Sequence, residues 1–211
     1  MDTKDFIIQN KIIAIFRQIP ADKLINLIGA VFRGGIRCVE ITVDQLGDVR
    51  DTVNAISLIK ESFGDVMKVG AGTVLTPEQV GLVAHAGAEY IISPDTNESV
   101  IYKTKELGLV SIPGALTPTE IVTAHGFGAD FVKVFPASAF GPSYFKAVKA
   151  PLPHIPLLAV GGVSSDNARE YITAGTCGIG IAGKLVNREY LNENRFDVIE
   201  AEAAKYTEAL K

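Results

Sequence analysis

Eight short apolar runs recur along the chain, and their spacing constrains the fold more than any other feature of the sequence. The runs begin at Ile12, Cys38, Met67, Tyr90, Val110, Phe131, Ile155 and Gly178. They are rich in β-branched and aromatic residues and are followed by turn formers, which is typical of strands. The stretches between them carry apolar residues at helical spacing. Strands alternating with helices predict a parallel α/β fold.

Two arrangements of such a fold are possible, an open doubly wound sheet and a closed (β/α)8 TIM barrel. Eight regular repeats without a single GxGxxG opening favour the barrel. The chain has 211 residues, of which 47% are hydrophobic, so it suffices for one sizeable core and is expected to form a single domain over residues 1–211. An extra N-terminal helix, TKDFIIQNK, and a final helix, RFDVIEAEAAKYTEALK, are expected to flank it.

Three helix starts are visible between the runs. Thr76 is a predicted N-cap followed by Pro77 at the first helical position. Thr117 repeats that opening and carries a capping-box partner at Glu120. A further helix is predicted to open at Ser164 or Ser165.

Charge and composition exclude several classes of partner. The net charge is -4 and no basic stripe or run is present, so nucleic acid is not expected. The N-terminal segment is charged, and the following IIAIF is too short for a signal core or a membrane span, so we expect a cytoplasmic protein without a membrane partner. Cys38 and Cys177 form no CxxC pair and are predicted to be free thiols.

The three histidines, His85, His125 and His154, fall in predicted helices or loops without ligand spacing, so neither a metal site nor another cofactor is indicated.

Lys133 lies in the middle of the strand-like run FVKVF. The alternation of a strand places Val132 and Val134 on one face and Lys133 between two phenylalanines on the other, which is predicted to face the barrel interior. A lysine here either packs its stem while its head reaches water, or has a lowered pKa and acts as a nucleophilic amine. A neutral amine is the group that forms Schiff bases with ketones.

Glu40 occupies the same kind of position in CVEITV, with Cys38 and Thr42 on its face. One reading of a lone inward carboxylate is that it only pairs with a buried cation. An inward lysine together with an inward glutamate also supplies the minimal set for Schiff-base chemistry, a nucleophile and a proton shuttle.

Further candidates follow from the rule that barrel active sites lie at the C-terminal ends of strands. Thr73 ends VGAGTV, where Gly70 and Gly72 would allow a small ligand or a tight turn. Arg17 ends IIAIFR and is either a carboxylate ligand or a rim charge.

Glycine-rich turns end the seventh and eighth runs. Gly161, Gly162 and Gly183 would allow close approach of a phosphate to backbone N–H groups, and Lys184 would add charge.

These residues occur within motifs that resemble a known family. VEIT, VGAGTVLTPEQ, ISPD, IPGALTPTE, VKVFPASAFGPSYFKAVKAPLP and AVGGVSSDN are similar to the 2-keto-3-deoxy-6-phosphogluconate (KDPG) / 4-hydroxy-2-oxoglutarate (KHG) aldolases, including the branch that acts on the galactonate epimer. The resemblance covers nearly the whole chain. It implies a metal-free class I aldolase on a (β/α)8 barrel, a homotrimer that binds a 2-keto-3-deoxy acid and releases pyruvate.

The resemblance also implies roles for individual residues. Lys133 is the implied Schiff-base lysine and Glu40 the general acid/base. Thr73 and Arg17 are implied to hold the substrate carboxylate. Two groups complete the implied site: a pyruvyl pocket of Pro113, Gly114 and Phe135, and a phosphate cradle of Gly161, Gly162 and Gly183.

Two positions depart from the family pattern. Asp44 stands where gluconate-type members commonly have an arginine that meets the carboxylate, so carboxylate binding is expected to rest on Arg17 and Thr73. Gly183 or Lys184 stands where a serine is often found.

The expected reaction is cleavage of a 2-keto-3-deoxy-6-phospho sugar acid of gluconate or galactonate type to pyruvate and D-glyceraldehyde 3-phosphate, with 4-hydroxy-2-oxoglutarate as a further substrate. Two alternatives stay open at this point: a phosphosugar isomerase or epimerase on the same barrel, and a non-catalytic binder of sugar-acid phosphates.

Overall fold

The computed structural model describes residues 1–183 and 185–211, so the prediction for Lys184 lies outside the described residues. The strands are β1 (Ile12–Phe16), β2 (Cys38–Thr42), β3 (Lys68–Gly72), β4 (Tyr90–Ile92), β5 (Val110–Ile112), β6 (Gly114–Ala115), β7 (Val132–Val134), β8 (Leu157–Val160) and β9 (Gly178–Ile181). The helices are α1 (Thr3–Asn10), α2 (Ala21–Arg33), α3 (Val49–Phe63), α4 (Pro77–His85), α5 (Glu98–Glu106), α6 (Pro118–Gly126), α7 (Gly141–Lys149), α8 (Ala168–Thr173), α9 (Arg188–Asn192) and α10 (Phe196–Ala209), with a 3-10 turn at Ala137–Ala139.

All paired strands are parallel, in the order β5-β4-β3-β2-β1-β9-β8-β7-β6. The two outermost strands, β5 and β6, belong to one apolar run and are separated only by Pro113. The sheet therefore closes on itself, and the Lys133 N–H donates to the Pro113 carbonyl at 2.9 Å across the closure. Counting β5 and β6 as one split strand gives the predicted (β/α)8 barrel, and each of the eight apolar runs supplies one strand.

Two apolar layers form the core, as expected for a barrel surrounded by helices. Val39 and Val132 belong to the layer between strands and helices. Cys38 and Phe131 belong to the layer inside the barrel. The predicted alternation of faces in β2 and β7 is thus confirmed. The predicted N-terminal helix α1 adds Ile7 to the interior layer, where it is 1% exposed.

Two of the three predicted helix starts are confirmed and one is wrong. Thr76 caps α4 and accepts a hydrogen bond from the Gln79 N–H at 3.2 Å. Thr117 and Glu120 form the capping box of α6. The third helix does not open at Ser164 or Ser165: Asn167 precedes α8, because residues 164–167 form a turn in which the Ser164 N–H donates to the Asn167 side chain at 2.8 Å.

Both cysteines are free thiols, as predicted. Burial raises the pKa of Cys38 to about 12 and that of Cys177 to about 11, so neither is a reactive thiolate at neutral pH. Across residues 1–183 and 185–211, no helix combines the length and apolar character needed to cross a bilayer. The same part of the chain contains no group of three or more His, Cys, Asp or Glu residues placed to hold a metal ion.

Candidate active site

Two buried charged groups face one another across the interior of the barrel. Lys133 lies on β7 and is 5% exposed, and Glu40 lies on β2 and is 1% exposed. Four positions around the eight-stranded barrel separate their strands, so the two side chains enter from opposite walls. The prediction that both residues are buried and inward is confirmed.

The environment of Lys133 favours a neutral amine. Burial lowers the pKa of Lys133, and the positive charge of Arg17 lowers it further, while the negative charge of Glu40 acts in the opposite direction. The net direction is downward, because desolvation is the largest of these effects. Lys133 therefore loses its proton at a lower pH than an ordinary lysine, which is the property that a nucleophilic lysine requires.

The carboxyl group of Glu40 lies directly against Gly72. A Cβ on Gly72 would lie 1.6 Å from Glu40 Oε1, so only glycine at this position leaves room for the carboxyl group. The space above Gly70 is filled in the same way by the ring of Tyr90. These two glycines thus accommodate the protein's own side chains, Tyr90 at Gly70 and Glu40 at Gly72.

One carboxyl oxygen of Glu40, Oε2, is buried without a hydrogen-bond partner among the described residues. Burial raises the pKa of Glu40, whereas the positive charges of Lys133 and Arg17 partly counteract that rise. No direct ion pair joins Glu40 to Lys133 within the described part of the chain. A carboxyl group with a raised pKa and an unpaired oxygen is suited to taking up and returning a proton.

Phe135 follows Lys133 on the same face and marks the opening of the barrel, where it is 37% exposed. The Lys133 ammonium nitrogen lies 4.9 Å from the centre of the Phe135 ring. The ring therefore covers Lys133 from the side of the solvent.

Pro113 and Gly114 form the split in the fifth barrel strand, directly beside β7. Pro113 accepts the Lys133 N–H, as described above. A Cβ on Gly114 would lie 2.3 Å from the carbonyl oxygen of Pro94, so the ISPD segment after β4 can pack this closely only against glycine. Both residues are buried next to Lys133, as a pyruvyl pocket would require.

Arg17 extends from the end of β1 into the wall of a cavity of about 830 Å³. Ile15 and Gly183 also line this cavity, which therefore opens between the ends of β1 and β9. Arg17 is exposed, yet its charge affects the pKa of both Lys133 and Glu40. It lies where it can meet an anionic group of a ligand bound above the two buried side chains.

Thr73, at the end of β3, has a left-handed backbone conformation with φ of 56°. This conformation is unfavourable for a β-branched residue and persists only where surrounding contacts impose it. Its carbonyl oxygen accepts a hydrogen bond of 2.7 Å from the side-chain amide of Gln45. Strained backbone at the C-terminal end of a barrel strand is typical of a functional position.

Gly161 and Gly162, at the end of β8, are consecutive residues with positive φ of 92° and 77°. A Cβ on Gly162 would lie 2.4 Å from the Cβ of Ser138, and the Ser138 N–H donates to the Gly161 carbonyl at 3.0 Å. The N–H groups of Gly162 and Val163 have no acceptor among residues 1–183 and 185–211. Two free N–H groups in a positive-φ turn are available to an anion.

Gly183 follows β9, which pairs with β8, the strand that ends at this turn. It is exposed on the wall of the 830 Å³ cavity beside β1, and a Cβ there would meet nothing within 4 Å. Its predicted partner Lys184 lies outside the described residues.

Known proteins share both the sequence and this architecture. The family model described as "Aldolase: KDPG and KHG aldolase" matches residues 4–202. The chain belongs to the KDPG and KHG aldolase family. It is 38% identical over 201 residues to the 2-dehydro-3-deoxy-6-phosphogalactonate aldolase of Escherichia coli (strain K12), covering 95% of this chain and 96% of that protein.

Two further comparisons agree with this family. The probable 2-dehydro-3-deoxy-6-phosphogalactonate aldolase of Rhizobium meliloti (strain 1021) is 34% identical over 178 residues, which is 84% of this chain and 82% of that protein. The solved structure titled "Native KDPGal structure" superposes with a TM-score of 0.85 at 37% identity, covering 94% of this chain and 93% of that one. The resemblance drawn from the motifs is thereby confirmed, and the protein is an aldolase.

Three polar residues at the mouth of this aldolase barrel escaped prediction from the sequence. Ser138 packs over Gly162, and Gln18 and Gln45 hydrogen-bond to residues at neighbouring strand ends. Ser138 lies within VKVFPASAFGPSYFKAVKAPLP, one of the motifs that resemble the family, so the sequence did contain an indication that this position is functional. Gln18 and Gln45 lie in loops, and their partners are far away in sequence.

Proposed function

We propose that this aldolase is a class I enzyme that forms a Schiff base through Lys133 and cleaves 2-keto-3-deoxy-6-phosphogalactonate to pyruvate and D-glyceraldehyde 3-phosphate. The observation that carries the proposal is the buried Lys133 with a lowered pKa, set across the barrel from the buried Glu40. The galactonate epimer is chosen because both curated relatives that match most of the chain are named for it.

The first half of the reaction builds an electron sink. The neutral Lys133 amine attacks C2 of the keto acid, and the carbinolamine loses water to give a protonated imine. Glu40 takes the proton of the C4 hydroxyl. The electron pair of the C3–C4 bond moves into the imine, so the aldehyde leaves and an enamine stays on Lys133.

The second half returns the proton and frees the enzyme. Glu40, now protonated, delivers a proton to C3 of the enamine, and the raised pKa of its carboxyl group favours this step. Water then hydrolyses the imine to pyruvate and the free amine. Phe135 limits the access of bulk water to Lys133 while the intermediates exist.

Carboxylate and phosphate are assigned to opposite parts of the mouth. Thr73 and Arg17 hold the pyruvyl carboxylate, and Pro113 and Gly114 line the space beside it. The N–H groups of the turn at Gly161 and Gly162, with Ser138 above it, hold the phosphate. Asn167 keeps this turn in shape by donating to the Gly162 carbonyl at 3.1 Å. Gly183, which follows the neighbouring strand β9, borders the cavity on the β1 side.

Borohydride trapping tests the Schiff base. Pyruvate with borohydride is expected to inactivate the protein and leave a pyruvyl adduct on the peptide that contains Lys133. The buried position and lowered pKa are specific to Lys133, so Lys149, whose amine donates to two carbonyls, serves as a control residue and should carry no label. Label on another lysine, or no label at all, contradicts the assignment.

The same measurements distinguish the alternatives. A phosphosugar isomerase or epimerase would give no covalent pyruvyl adduct, and a non-catalytic binder would give no pyruvate from any 2-keto-3-deoxy acid. Assays of pyruvate release from the galactonate and gluconate 6-phosphates and from 4-hydroxy-2-oxoglutarate establish the substrate. We expect the galactonate 6-phosphate to have the highest kcat/KM.

A charge placed at Ser138 tests the phosphate subsite. Ser138→Asp puts a carboxylate against the turn and is expected to lower kcat/KM for the 6-phosphate by about 100-fold, while Ser138→Asn is the uncharged control of similar size. Neither change should alter cleavage of 4-hydroxy-2-oxoglutarate by more than about twofold. Ser138 is preferred to Gly162 for this test, since any side chain at Gly162 collides with Ser138. Equal losses on both substrates would place the phosphate elsewhere.

We also propose that this aldolase forms a homotrimer, as the family resemblance implies. The outer faces of α4, α5 and α6 expose the apolar side chains Leu82, Tyr102 and Val122, which are 47%, 53% and 49% exposed. Apolar side chains exposed on neighbouring helices are suited to contact between subunits. Light scattering coupled to gel filtration measures the mass, and a monomer or dimer mass would contradict the trimer.

A further inference from the structure

Two residues other than glycine have left-handed backbone at neighbouring strand ends of the mouth. Thr73 follows β3 with φ of 56°, and Gln18 follows β1 with φ of 50°. The turn between these two positions, residues 44–47 after β2, contacts both of them. Gln45 donates from its side-chain amide to the Thr73 carbonyl at 2.7 Å, and Asp44 Oδ2 accepts from the Gln18 amide at 2.8 Å.

The Gln45 side chain is itself oriented. Its Oε1 accepts from Gln79 Nε2 at 3.2 Å, which leaves the Nε2 of Gln45 to face Thr73. Gln79 is held in turn, because its Oε1 accepts the Leu75 N–H at 2.8 Å. The result is a chain of amides that runs from α4 through the turn to the carbonyl of Thr73.

Asp44 is anchored on the other side of the turn. Its Oδ1 accepts the Leu46 N–H at 3.0 Å, and the hydrogen bond from Gln18 occupies Oδ2. The pKa of Asp44 is lowered chiefly by the Gln18 hydrogen bond and then by that of the Leu46 N–H. Gln18 Oε1 in turn accepts a hydrogen bond of 3.1 Å from the side chain of Arg188, at the start of α9.

We propose that Asp44 and Gln45 are positioning residues, which hold Gln18 and Thr73 in left-handed conformations and so direct Arg17 and Thr73 at the substrate carboxylate. The proposal rests on the proposed function, since that assigns the carboxylate to Arg17 and Thr73. It also gives Asp44 a role of its own: the residue does not contact substrate but fixes the arginine-bearing end of β1 from outside. Strain at Thr73 persists because Gln45 holds the carbonyl that a relaxing backbone would turn away.

Gln45→Glu tests the link to Thr73. Glutamate keeps the acceptor for Gln79 but loses the donor and sets a carboxylate against the Thr73 carbonyl. We expect KM for the keto acid, and the pyruvate concentration for half-maximal borohydride inactivation, to rise roughly five- to tenfold, the worth of about one hydrogen bond. The value of kcat should stay within about twofold, because Lys133 and Glu40 are untouched.

Two further variants separate positioning from simple stability. Gln45→Lys restores a donor of similar length and should recover most of the lost affinity. Leu46→Ala changes the same turn at a side chain that is 99% exposed and should leave KM unchanged. A purely structural role would lower the unfolding midpoint of Gln45→Glu without changing KM, and that result would overturn the proposal.

Asp44→Asn tests the hydrogen bond between Asp44 and Gln18. Asparagine keeps one acceptor for the Leu46 N–H and presents an amide to the amide of Gln18, so the contact with Gln18 is lost. The expected rise in KM is again roughly five- to tenfold. An unchanged KM in Asp44→Asn would remove Asp44 from the proposal.

The outcome is independent of whether the Schiff base forms. If pyruvate and borohydride do not inactivate the unmodified protein, the class I assignment fails. In that case the affinity for pyruvate is measured by calorimetry in the unmodified protein and in Gln45→Glu. A roughly five- to tenfold lower affinity in Gln45→Glu supports the positioning role of Gln45. Equal pyruvate affinity in the two proteins overturns it.

Discussion

The two ends of the barrel interior differ in how their polar groups are satisfied. At the N-terminal end, Ile7, Tyr90 and Phe131 are at most 1% exposed and fill the interior, and the Tyr90 hydroxyl donates to the Val39 carbonyl. At the C-terminal end, and among the residues that the structure describes, Lys133 is buried without a direct ion pair, Glu40 has an unpaired oxygen, and Thr73 has strained backbone.

The two ends of the barrel therefore have different roles. The N-terminal end has apolar packing and paired polar groups, which stabilise the fold. The C-terminal end concentrates desolvated charge and strain, which cost stability and persist where they serve binding or catalysis. Substitutions at the two ends should therefore affect different measurements.

The largest expected effect comes from replacing a lysine at each end. Lys133→Met should reduce pyruvate release to background, since no amine remains to attack the ketone, yet raise the free energy of unfolding by about 1 kcal/mol by removing a buried charge. Lys68 lies at the start of β3 and pairs with Glu89 at 2.5 Å. Lys68→Met should keep turnover and lose about 1 kcal/mol. Activity assays and urea titrations of both variants check the contrast, and the reverse pattern would contradict it.

The stabilisation in Lys133→Met should depend on pH. The pKa of Lys133 is lowered in the folded protein, so between that value and the ordinary lysine pKa of about 10.4 the unfolded chain binds more protons. The cost of burying Lys133 is therefore full below the folded pKa and is relieved as pH rises through this window. The stability difference between Lys133→Met and the unmodified protein should shrink toward pH 10, and a constant difference would show that Lys133 is not the cause.

The next effect concerns Glu40. Glu40→Gln should lower turnover by about 10²–10⁴-fold, the usual contribution of a positioned acid/base, and still allow pyruvate trapping. Gly72→Ala should have a similar effect without altering Glu40 itself, because its Cβ would occupy the place of the carboxyl oxygen.

Gly81→Ala is the matched control for this pair of variants. A Cβ at Gly81, in α4, meets nothing within 4 Å, so turnover should be unchanged. Full activity in Gly72→Ala would mean that the position of the Glu40 carboxyl group is not required.

A smaller effect is expected from opening the N-terminal end. Ile7→Ala should lower the free energy of unfolding by about 2–4 kcal/mol by creating a cavity in the barrel. Ile8, its neighbour on α1, is 40% exposed, and Ile8→Ala should cost less than about 0.5 kcal/mol. Turnover per folded molecule should be unchanged in both. A drop in kcat for Ile7→Ala would show that the two ends are coupled.

The smallest effect is a shift in the pH dependence of pyruvate trapping. Arg17→Gln removes a charge that lowers the pKa of Lys133, so the rising limb should move to higher pH. Glu40→Gln removes a charge that raises it, so the limb should move to lower pH. Each shift should be below about one pH unit, since solvent screens Arg17 and desolvation dominates at Lys133. Shifts of the same sign would contradict the assigned electrostatics.

The sequence by itself determined the barrel and the two central residues. Strand and helix alternation is a local pattern, and eight repeats leave few ways to close a parallel sheet. The inward direction of Lys133 and Glu40 follows from the period of two in a strand, which needs no knowledge of distant residues. The capping residues Thr76 and Thr117 are equally local.

Only the tertiary structure decided how the mouth of the barrel is built. Gly72 is explained by a carboxyl group 32 residues earlier in the chain, and Gly162 by Ser138, neither of which a local pattern reveals. Gln18 and Thr73, which have left-handed backbone, form hydrogen bonds with partners 26 and 28 residues away in the chain. Such contacts arise when neighbouring strand ends converge, so the side chains that impose them are set by the closed barrel and not by the residues next to them in sequence.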